Sequence, residues 1–236
     1  MNFAERKRML PEFPRTLHLP HKPNATIDDV VAMETDAKVV FKEEVWVEEK
    51  IDGASLGITI LNDEPVIRNR DHILNKGFLK NTPAKKQFVP AWNWFYENKE
   101  KLQALLSNGT WSVYGEWMVG RHGMSYNKLP DWFIAYDIYD YHHGWFLGPR
   151  TARRLLVEHG FSVPPLLFNG HLETPAEVEE YTRHSAEWCE GEVEGVYIRV
   201  GDEIVKHRFK MVRADFERGL PEFGDNGKLI KNELAK

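Results

Sequence analysis

Residues 45–55 read Val-Trp-Val-Glu-Glu-Lys-Ile-Asp-Gly-Ala-Ser, and the interpretation of the whole chain starts from them. The alternation over Val45–Glu49 predicts a strand that ends at Lys50, and residues 56–61 predict a second strand. The Asp-Gly pair between them predicts a tight turn. A lysine between two buried strands loses hydration, and desolvation lowers the pKa of an amine. With other cations nearby, such a lysine can act as a nucleophile at neutral pH.

The pattern Lys-x-Asp-Gly is short, so alone it is also compatible with a surface hairpin that carries an exposed lysine. The length and composition of the chain indicate how many domains it forms. The chain has 236 residues, of which 42% are hydrophobic, enough for one domain with a sizeable core. We expect a single domain over residues 1–236, with an N-terminal extension at 1–40 and a helical or mobile tail at 217–236.

The composition also bears on location and partners. No apolar run is long enough to cross a bilayer, and no secretory signal is visible. The single cysteine, Cys189, excludes an intrachain disulfide and favours a cytoplasmic location. The net charge of −5 is not typical of a nucleic-acid binder, but two basic clusters are either solvated faces or phosphate-binding surfaces. They comprise Lys76, Lys80, Lys85 and Lys86, and Lys206, Arg208, Lys210 and Arg213.

Strand and helix patterns alternate irregularly along the chain. Period-two stretches predict strands at residues 64–70, 111–118, 132–140, 196–200 and 203–210, with the last two joined as a hairpin. Helical spacing and end signals predict helices at 90–107, 151–159 and 174–184.

Charged residues inside these strands are candidates for function. Glu116 lies in an otherwise apolar and aromatic strand, so it either contacts a ligand or pairs with a buried arginine or backbone amide. The predicted hairpin carries Glu194 on one arm and Arg208 and Lys210 on the other. That combination suits a metal–phosphate reaction, and it is equally compatible with ordinary cross-strand charge pairing.

Five motifs occur in a fixed order, and together they resemble those of the covalent nucleotidyltransferase superfamily, which includes DNA ligases, RNA ligases and mRNA capping enzymes. The similarity is greatest to ATP-dependent RNA ligases of the RNA ligase 2-like family. This resemblance implies an α+β ligase adenylation domain with antiparallel sheets flanking a nucleotide-binding cleft. Because the given chain ends soon after Lys210, we expect it to lack the C-terminal barrel that DNA ligases and capping enzymes carry. The motifs are Lys50-Ile51-Asp52-Gly53, Tyr114-Gly115-Glu116-Trp117, Ala135-Tyr136-Asp137-Ile138, Glu194-Gly195-Val196-Tyr197-Ile198-Arg199 and Arg208-Phe209-Lys210.

The resemblance implies a role for each matching residue. Lys50 would attack the α-phosphorus of ATP and become a lysyl-adenylate. Asp52 would shape the lysine loop and assist sealing. Glu194 would hold a divalent metal, Mg²⁺ or Mn²⁺, or orient the lysine. Three cations would neutralise the α-phosphate, namely Arg199, Arg208 and Lys210.

The resemblance also implies the remaining nucleotide contacts. Tyr136 would stack on the adenine and Glu116 would accept a hydrogen bond from the ribose. Glu49, next to the lysine, joins the nucleotide-binding set. Arg70 would meet ribose or phosphate, and Arg68 is the competing choice. Positions 199 and 208 carry arginine where lysine is common in related enzymes, which preserves the charge.

The expected function is therefore ATP-dependent ligation of RNA ends, from a 5′-phosphate and a 3′-hydroxyl, through an adenylylated RNA intermediate. Expected partners are nicked or broken RNA, ATP and an end-processing kinase or phosphatase, with no membrane. Two alternatives stay open: a small DNA nick ligase, and a catalytically idle nucleotide- or RNA-binding module of the same fold.

Overall fold

Two five-stranded sheets frame the protein. The computed structural model describes residues 3–20, 30–75, 83–107, 109–217 and 219–236. The strand order is β1-β10-β9-β2-β8 in the first sheet and β4-β3-β5-β6-β7 in the second. The strands are β1 (Leu17–His18), β2 (Val45–Glu49), β3 (Ala54–Leu61), β4 (Glu64–Arg68), β5 (Trp111–Trp117), β6 (Phe133–Asp140), β7 (Trp145–Phe146), β8 (Leu166–Gly170), β9 (Gly195–Val200) and β10 (His207–Val212).

Neighbouring strands in both sheets run antiparallel, except for the short parallel pair β1 and β10. The predicted α+β fold with antiparallel sheets is therefore confirmed. The helices are α1 (Phe3–Met9), α2 (Glu34–Ala37), α3 (Ala91–Glu97), α4 (Lys99–Leu106), α5 (Pro149–Glu158) and α6 (Pro175–Tyr181).

Each sheet has its own hydrophobic core on one face. Against the second sheet pack buried residues of α3, α4 and α5, including Phe95, Leu102 and Leu156. Against the first sheet pack α2 and α6, with Val178 fully buried. The other faces of the two sheets meet through contacts between β6 and the β9–β10 hairpin.

The lysine-bearing loop crosses from one sheet to the other. The tight turn predicted at the Asp-Gly pair is wrong, because β2 belongs to the first sheet and β3 to the second. Gly53 is needed for close approach rather than for a turn. A Cβ at this position would lie 2.7 Å from Met118 Sδ and 2.9 Å from the carbonyl oxygen of Trp117. Glycine thus lets the crossing pass directly over the end of β5.

The helix predicted at 90–107 is two helices, because the chain breaks at Asn98, whose φ is −111° and ψ is 16°. Its side-chain amide donates to the carbonyl oxygen of Trp94, 2.8 Å away, at the end of α3. The pair Asn108-Gly109 is the end signal for the predicted helix, and Asn108 lies outside the described residues. The capping box of α6 is formed as predicted, with the Glu177 amide donating to Thr174 Oγ1.

The described residues of the tail, 219–236, form no helix. Residues 222–230 form a turn in which Phe223 pairs with Leu229, and residues 230–235 then run along residues 118–130, joined to them by backbone hydrogen bonds. Apolar packing and long-range pairing hold this segment, and neither is visible in its own polar sequence. Across the described ranges, no helix has both the length and the apolar character that crossing a bilayer needs.

Candidate active site

A cleft of about 760 Å³ opens where the two sheets meet, and Lys50 lies on its wall. The volume falls within the range of ordinary small-ligand sites. Both sheets contribute, because β2 and β9 supply one wall while β5 and β6 supply the other. Eight of the predicted site residues line it: Glu49, Lys50, Asp52, Arg70, Glu116, Tyr136, Glu194 and Lys210.

Lys50 is held by an ion pair. Its Nζ donates a hydrogen bond to Glu194 Oε2 at 2.7 Å, and its backbone amide donates to the carbonyl oxygen of Gly195. The lysine side chain keeps 26% of its surface exposed, whereas that of Glu194 keeps 3%. The amine therefore reaches the cleft while its partner stays buried behind it.

The charge state of this lysine differs from the prediction. Burial disfavours the ammonium, but the negative charges of Glu194 and then of two further carboxylates outweigh it and raise the pKa of Lys50. The predicted lowering of this pKa is wrong for the ligand-free cleft. The sequence does not reveal that the fold brings Glu116 and Asp52 close to the amine, where their charges oppose the effect of desolvation.

Asp52 fixes the loop that follows the lysine. Its Oδ2 accepts a hydrogen bond from the Met124 amide at 2.9 Å, and its own amide donates to the Tyr126 hydroxyl at 3.0 Å. Both partners belong to the segment 118–130. The arrangement agrees with a loop-shaping role.

Two further carboxyl groups in the cleft have pKa values near neutral pH. Burial raises the pKa of Glu116 to about 7, although Lys50 and Arg70 act in the opposite direction. Burial likewise raises the pKa of Glu49 to about 7. Glu49 Oε2 accepts from the Glu187 amide at 3.4 Å, while its Oε1 has no hydrogen-bond partner in the described part of the chain.

Arg70 and Arg68 have different surroundings. The Arg68 guanidinium is buried and donates to three carbonyl oxygens at 2.9–3.0 Å, those of Leu10, Asn69 and Arg70. Arg70 is exposed and lines the cleft. Of the two candidates, Arg70 is therefore the one that a bound ligand can reach.

Tyr136 presents its ring to the cleft within a small aromatic cluster. The ring of Phe13 meets it edge-on, with centroids 5.4 Å apart, and that of Tyr197 is tilted against it at 5.8 Å. Tyr197 also lines the cleft, and its hydroxyl bonds to Asp137 Oδ2. An aromatic wall of this kind suits a planar, π-rich ligand.

Arg199, predicted to contact a phosphate, does not line the cleft. Its side chain is fully buried, and its guanidinium donates to Glu48 Oε2 at 2.6 Å and to Asp137 Oδ1 at 2.8 Å. A third bond, of 2.6 Å, goes to the carbonyl oxygen of Tyr136. These acceptors saturate one edge of the guanidinium and join β9 to both β2 and β6.

Arg208 is also held by protein groups rather than by the cleft. Its Nε lies 3.3 Å from Asp137 Oδ2, and its guanidinium stacks over the rings of Phe146 at 4.1 Å and Phe13 at 5.3 Å. The side chain is 8% exposed and does not line the cleft. Of the three predicted phosphate-neutralising cations, only Lys210 reaches the cleft.

The N-terminal segment supplies cleft residues to which the sequence analysis gave no role, although Pro14-Arg15-Thr16 belongs to a stretch that also resembles the RNA ligase family. Phe13, Arg15 and Thr16 line the cleft because β1 pairs with β10, which places this segment beside Lys210. Arg15 is exposed, and within the described ranges no ion pair or hydrogen bond engages its guanidinium. The Pro-Arg-Thr sequence was the only available signal, and a strand of two residues is too short to predict its pairing.

The basic clusters contribute little to the cleft besides Lys210. Lys76 and Lys80 lie outside the described residues, as does the side chain of Lys85. Lys86 borders a separate shallow groove. Lys206 pairs with Glu43 and Arg213 with Asp215.

Solved structures of an RNA ligase from Naegleria gruberi share this fold. The complex with pyrophosphate is 22% identical, with a TM-score of 0.57, over 73% of this chain and 51% of that chain. A variant with AMP and manganese has a TM-score of 0.55 at 18% identity, over 75% of this chain and 52% of that chain. Another variant, with ATP and manganese, has a TM-score of 0.54 at 17% identity, over 86% of this chain and 60% of that chain. This chain thus spans about half the length of most of these structures.

A search of curated proteins finds no match to the sequence. The RNA ligase family model, in contrast, matches residues 43–212, which include β2 through β10 and the lysine loop. The match covers well over half of the chain. This protein therefore belongs to the RNA ligase family.

Proposed function

We propose that the protein is an ATP-dependent RNA ligase that works through a covalent lysyl-AMP at Lys50. The observation that carries the proposal is the position of the Lys50 amine, which lies in the cleft with Glu194 at 2.7 Å and Glu116 and Lys210 on the surrounding walls. The structures of the Naegleria ligase hold ATP or AMP with manganese, which supports the same class of ligand here.

In the first step, Lys50 Nζ attacks the α-phosphorus of ATP, a phosphorus–nitrogen bond forms, and pyrophosphate leaves. The amine must first lose a proton, and Glu194 Oε2 is already hydrogen-bonded to it as an acceptor. Lys210 stabilises the negative charge that develops on the phosphate oxygens. Arg70 and Glu116 hold the ribose and phosphate, and Tyr136 stacks on the adenine.

A divalent ion fits the chemistry of the cleft when its phosphate ligands are included. In the described ranges, no three His, Cys, Asp or Glu side chains are placed to hold a metal by themselves. Mg²⁺ is commonly bound through one or two carboxylates together with substrate phosphates, and Glu194 is the proposed carboxylate. Such an ion would neutralise phosphate charge and favour departure of pyrophosphate.

The following steps return the lysine to its starting state. A 5′-phosphate oxygen of RNA attacks the adenylate, the phosphorus–nitrogen bond breaks, and the lysine regains its proton. A 3′-hydroxyl then attacks the activated 5′-phosphate, AMP leaves, and the hydroxyl proton is released. Asp52 assists this sealing step, as its loop lies beside the amine.

The test is transfer of label from ATP carrying a labelled α-phosphate to the protein. We expect acid-labile label on the unaltered chain, none on Lys50→Ala, and normal labelling of Lys42→Ala, which removes an exposed lysine. Label retained on Lys50→Ala would refute the assignment of the nucleophile. ATP binding without pyrophosphate release would instead favour an idle binding module.

Comparing the sealing of RNA and DNA substrates distinguishes the proposed RNA ligase from a DNA nick ligase. We expect sealing of a nick between RNA ends to be faster than sealing of the same nick in DNA, when the two are compared at equal protein adenylylation. The reverse order would identify a DNA ligase. An intact-mass increase of one adenylyl group would support the covalent step in either case.

A further inference from the structure

The segment 118–130 carries no helix or strand, yet it forms the support of the lysine loop. A second segment, residues 219–236, is called the strap here, and its residues 230–235 run along the first segment. The strap lies outside the part of the chain that matches the family model. Backbone hydrogen bonds between the two segments join Arg121 to Ile230, Tyr126 to Glu233, and Leu129 to both Glu233 and Ala235.

Asn232 is the central contact of the strap. It is 3% exposed, and its side-chain amide makes three hydrogen bonds with the backbone of residues 118–130. Its Nδ2 donates to the carbonyl oxygens of Met118 at 2.8 Å and Gly120 at 3.2 Å, and its Oδ1 accepts from the Tyr126 amide at 3.0 Å. The side-chain amide thus adds three hydrogen bonds to the isolated backbone pairing between the two segments.

The contacts continue from Tyr126 to the lysine loop. The Tyr126 ring is almost completely buried, and its hydroxyl accepts a hydrogen bond from the Asp52 amide at 3.0 Å. Met124, on the same segment, donates its amide to the Asp52 carboxylate at 2.9 Å. Asp52 is two residues from Lys50, so both fixed points of the loop depend on a segment that the strap holds.

We propose that Asn232 and Tyr126 are positioning residues for Lys50, and that the strap completes the active site by fixing the loop that carries the lysine. The inference rests on the proposed function, since it concerns the adenylylation step. Neither residue lines the cleft. His122 of the segment and Gly219 of the strap do line it. For Asn232 and Tyr126 themselves, the link to the lysine loop is the pair of hydrogen bonds at Asp52.

The chemistry of Asn232 accounts for the residue type. Aspartate has nearly the same shape, but its carboxylate has no donor for the Met118 and Gly120 carbonyl oxygens and would face them with negative charge. Asn232→Asp therefore loosens the clamp without changing its volume. Tyr126→Phe keeps the ring and removes the hydroxyl, which accepts from the Asp52 amide and donates to Met124 Sδ at 3.5 Å.

The experiment measures the adenylylation rate constant at saturating ATP, the KM for ATP, and hydrogen exchange of the peptide that contains Asp52. Displacement of a nucleophile by about 1 Å can cost about a hundredfold in rate. For both variants we expect a fall of about tenfold or more in the rate constant, a KM within about twofold, and faster exchange at Asp52.

Val178→Ala is the control for lost stability, because Val178 is fully buried on α6 in the core of the first sheet. Compared at temperatures equally far below each melting point, the control should keep the normal rate constant and the slow exchange of Asp52. If Asn232→Asp and Tyr126→Phe adenylylate as fast as the control, the inference is overturned. Should Asn232→Asp fail to fold, Tyr126→Phe decides alone.

The two proposals fail in different ways. If the unaltered chain takes no label from ATP, the proposed ligase function is refuted. Exchange at Asp52 is measured without ATP, and unchanged exchange in both variants would refute the positioning role even in an active ligase.

Discussion

The burial of the Glu49 carboxyl in the cleft makes the stability of the fold depend on pH. The carboxyl's folded-state pKa of about 7 lies above the ordinary value of 4.5, because burial penalises the carboxylate. Below about pH 4.5 the carboxyl is protonated in both states. As pH rises toward 7, the unfolded chain releases the proton more readily, and stability falls.

Glu49→Gln removes this titration. We expect the free energy of unfolding of the variant, relative to the unaltered chain, to be higher at pH 7.5 than at pH 5 by about 2 kcal/mol. Urea unfolding at the two pH values measures it. Glu190→Gln, at an exposed position, should show the same relative stability at both. An equal offset for Glu49→Gln at both pH values would contradict the assigned cause.

Arg15 yields a second prediction at the residue scale. Its guanidinium lies at the cleft without a partner in the described residues, so it is available for a phosphate. Charge-assisted contacts of arginine with phosphate contribute about 1.5–3 kcal/mol. We expect Arg15→Ala to raise the KM for ATP in adenylylation about tenfold or more.

The matched control is Arg154→Ala, which removes an exposed arginine paired with Glu158 on α5. Its KM for ATP should be unchanged. A normal KM for ATP in Arg15→Ala, together with slower transfer of AMP to RNA, would indicate that this arginine contacts the RNA 5′-phosphate rather than ATP.

At the scale of elements, a buried ion network joins the two sheets. Arg199 on β9 bonds to Glu48 on β2 and Asp137 on β6, and Arg153 on α5 adds a further bond of 3.0 Å to Glu48. Removing one member of such a network leaves an uncompensated buried charge. That loss typically costs about 3–5 kcal/mol.

Arg199→Ala should therefore lower mainly the stability of the fold, whereas Lys210→Ala should lower mainly the adenylylation activity. We expect Arg199→Ala to lower the free energy of unfolding by about 3 kcal/mol or more, measured by urea unfolding. Lys210→Ala, at the cleft, should lower adenylylation at least tenfold with a small change in stability. Normal stability of Arg199→Ala combined with lost ATP binding would restore the role first inferred from its motif.

The same elements show what a sequence can and cannot predict. Val45–Glu49 is a strand with the predicted bounds, because alternation along a strand is a local property. Its neighbours were not predictable, since β2 pairs with β9 and β8, more than a hundred residues away. The motif residues were found by resemblance. The burial of Arg199 depends on two carboxylates that the fold brings to it, Glu48 on β2 and Asp137 on β6 of the opposite sheet.

At the scale of the whole molecule, the cleft exists only when both sheets are in place. Lys50 and Glu194 come from the first sheet, and Glu116 and Tyr136 from the second. A nucleotide bound among them contacts the folded state alone, so it stabilises the fold by mass action. At a ligand concentration of 100 times Kd the gain is about 2.7 kcal/mol.

Lys50→Ala separates this binding from the covalent step. We expect Mg²⁺ and ATP at that concentration to raise its melting temperature by about 5–10 °C, measured by a thermal shift assay. Adding Tyr136→Ala should remove most of the shift, because the base then loses its aromatic wall on the second sheet. If the double variant shifts as much as Lys50→Ala alone, the nucleotide does not bridge the sheets, and its base binds elsewhere than against Tyr136.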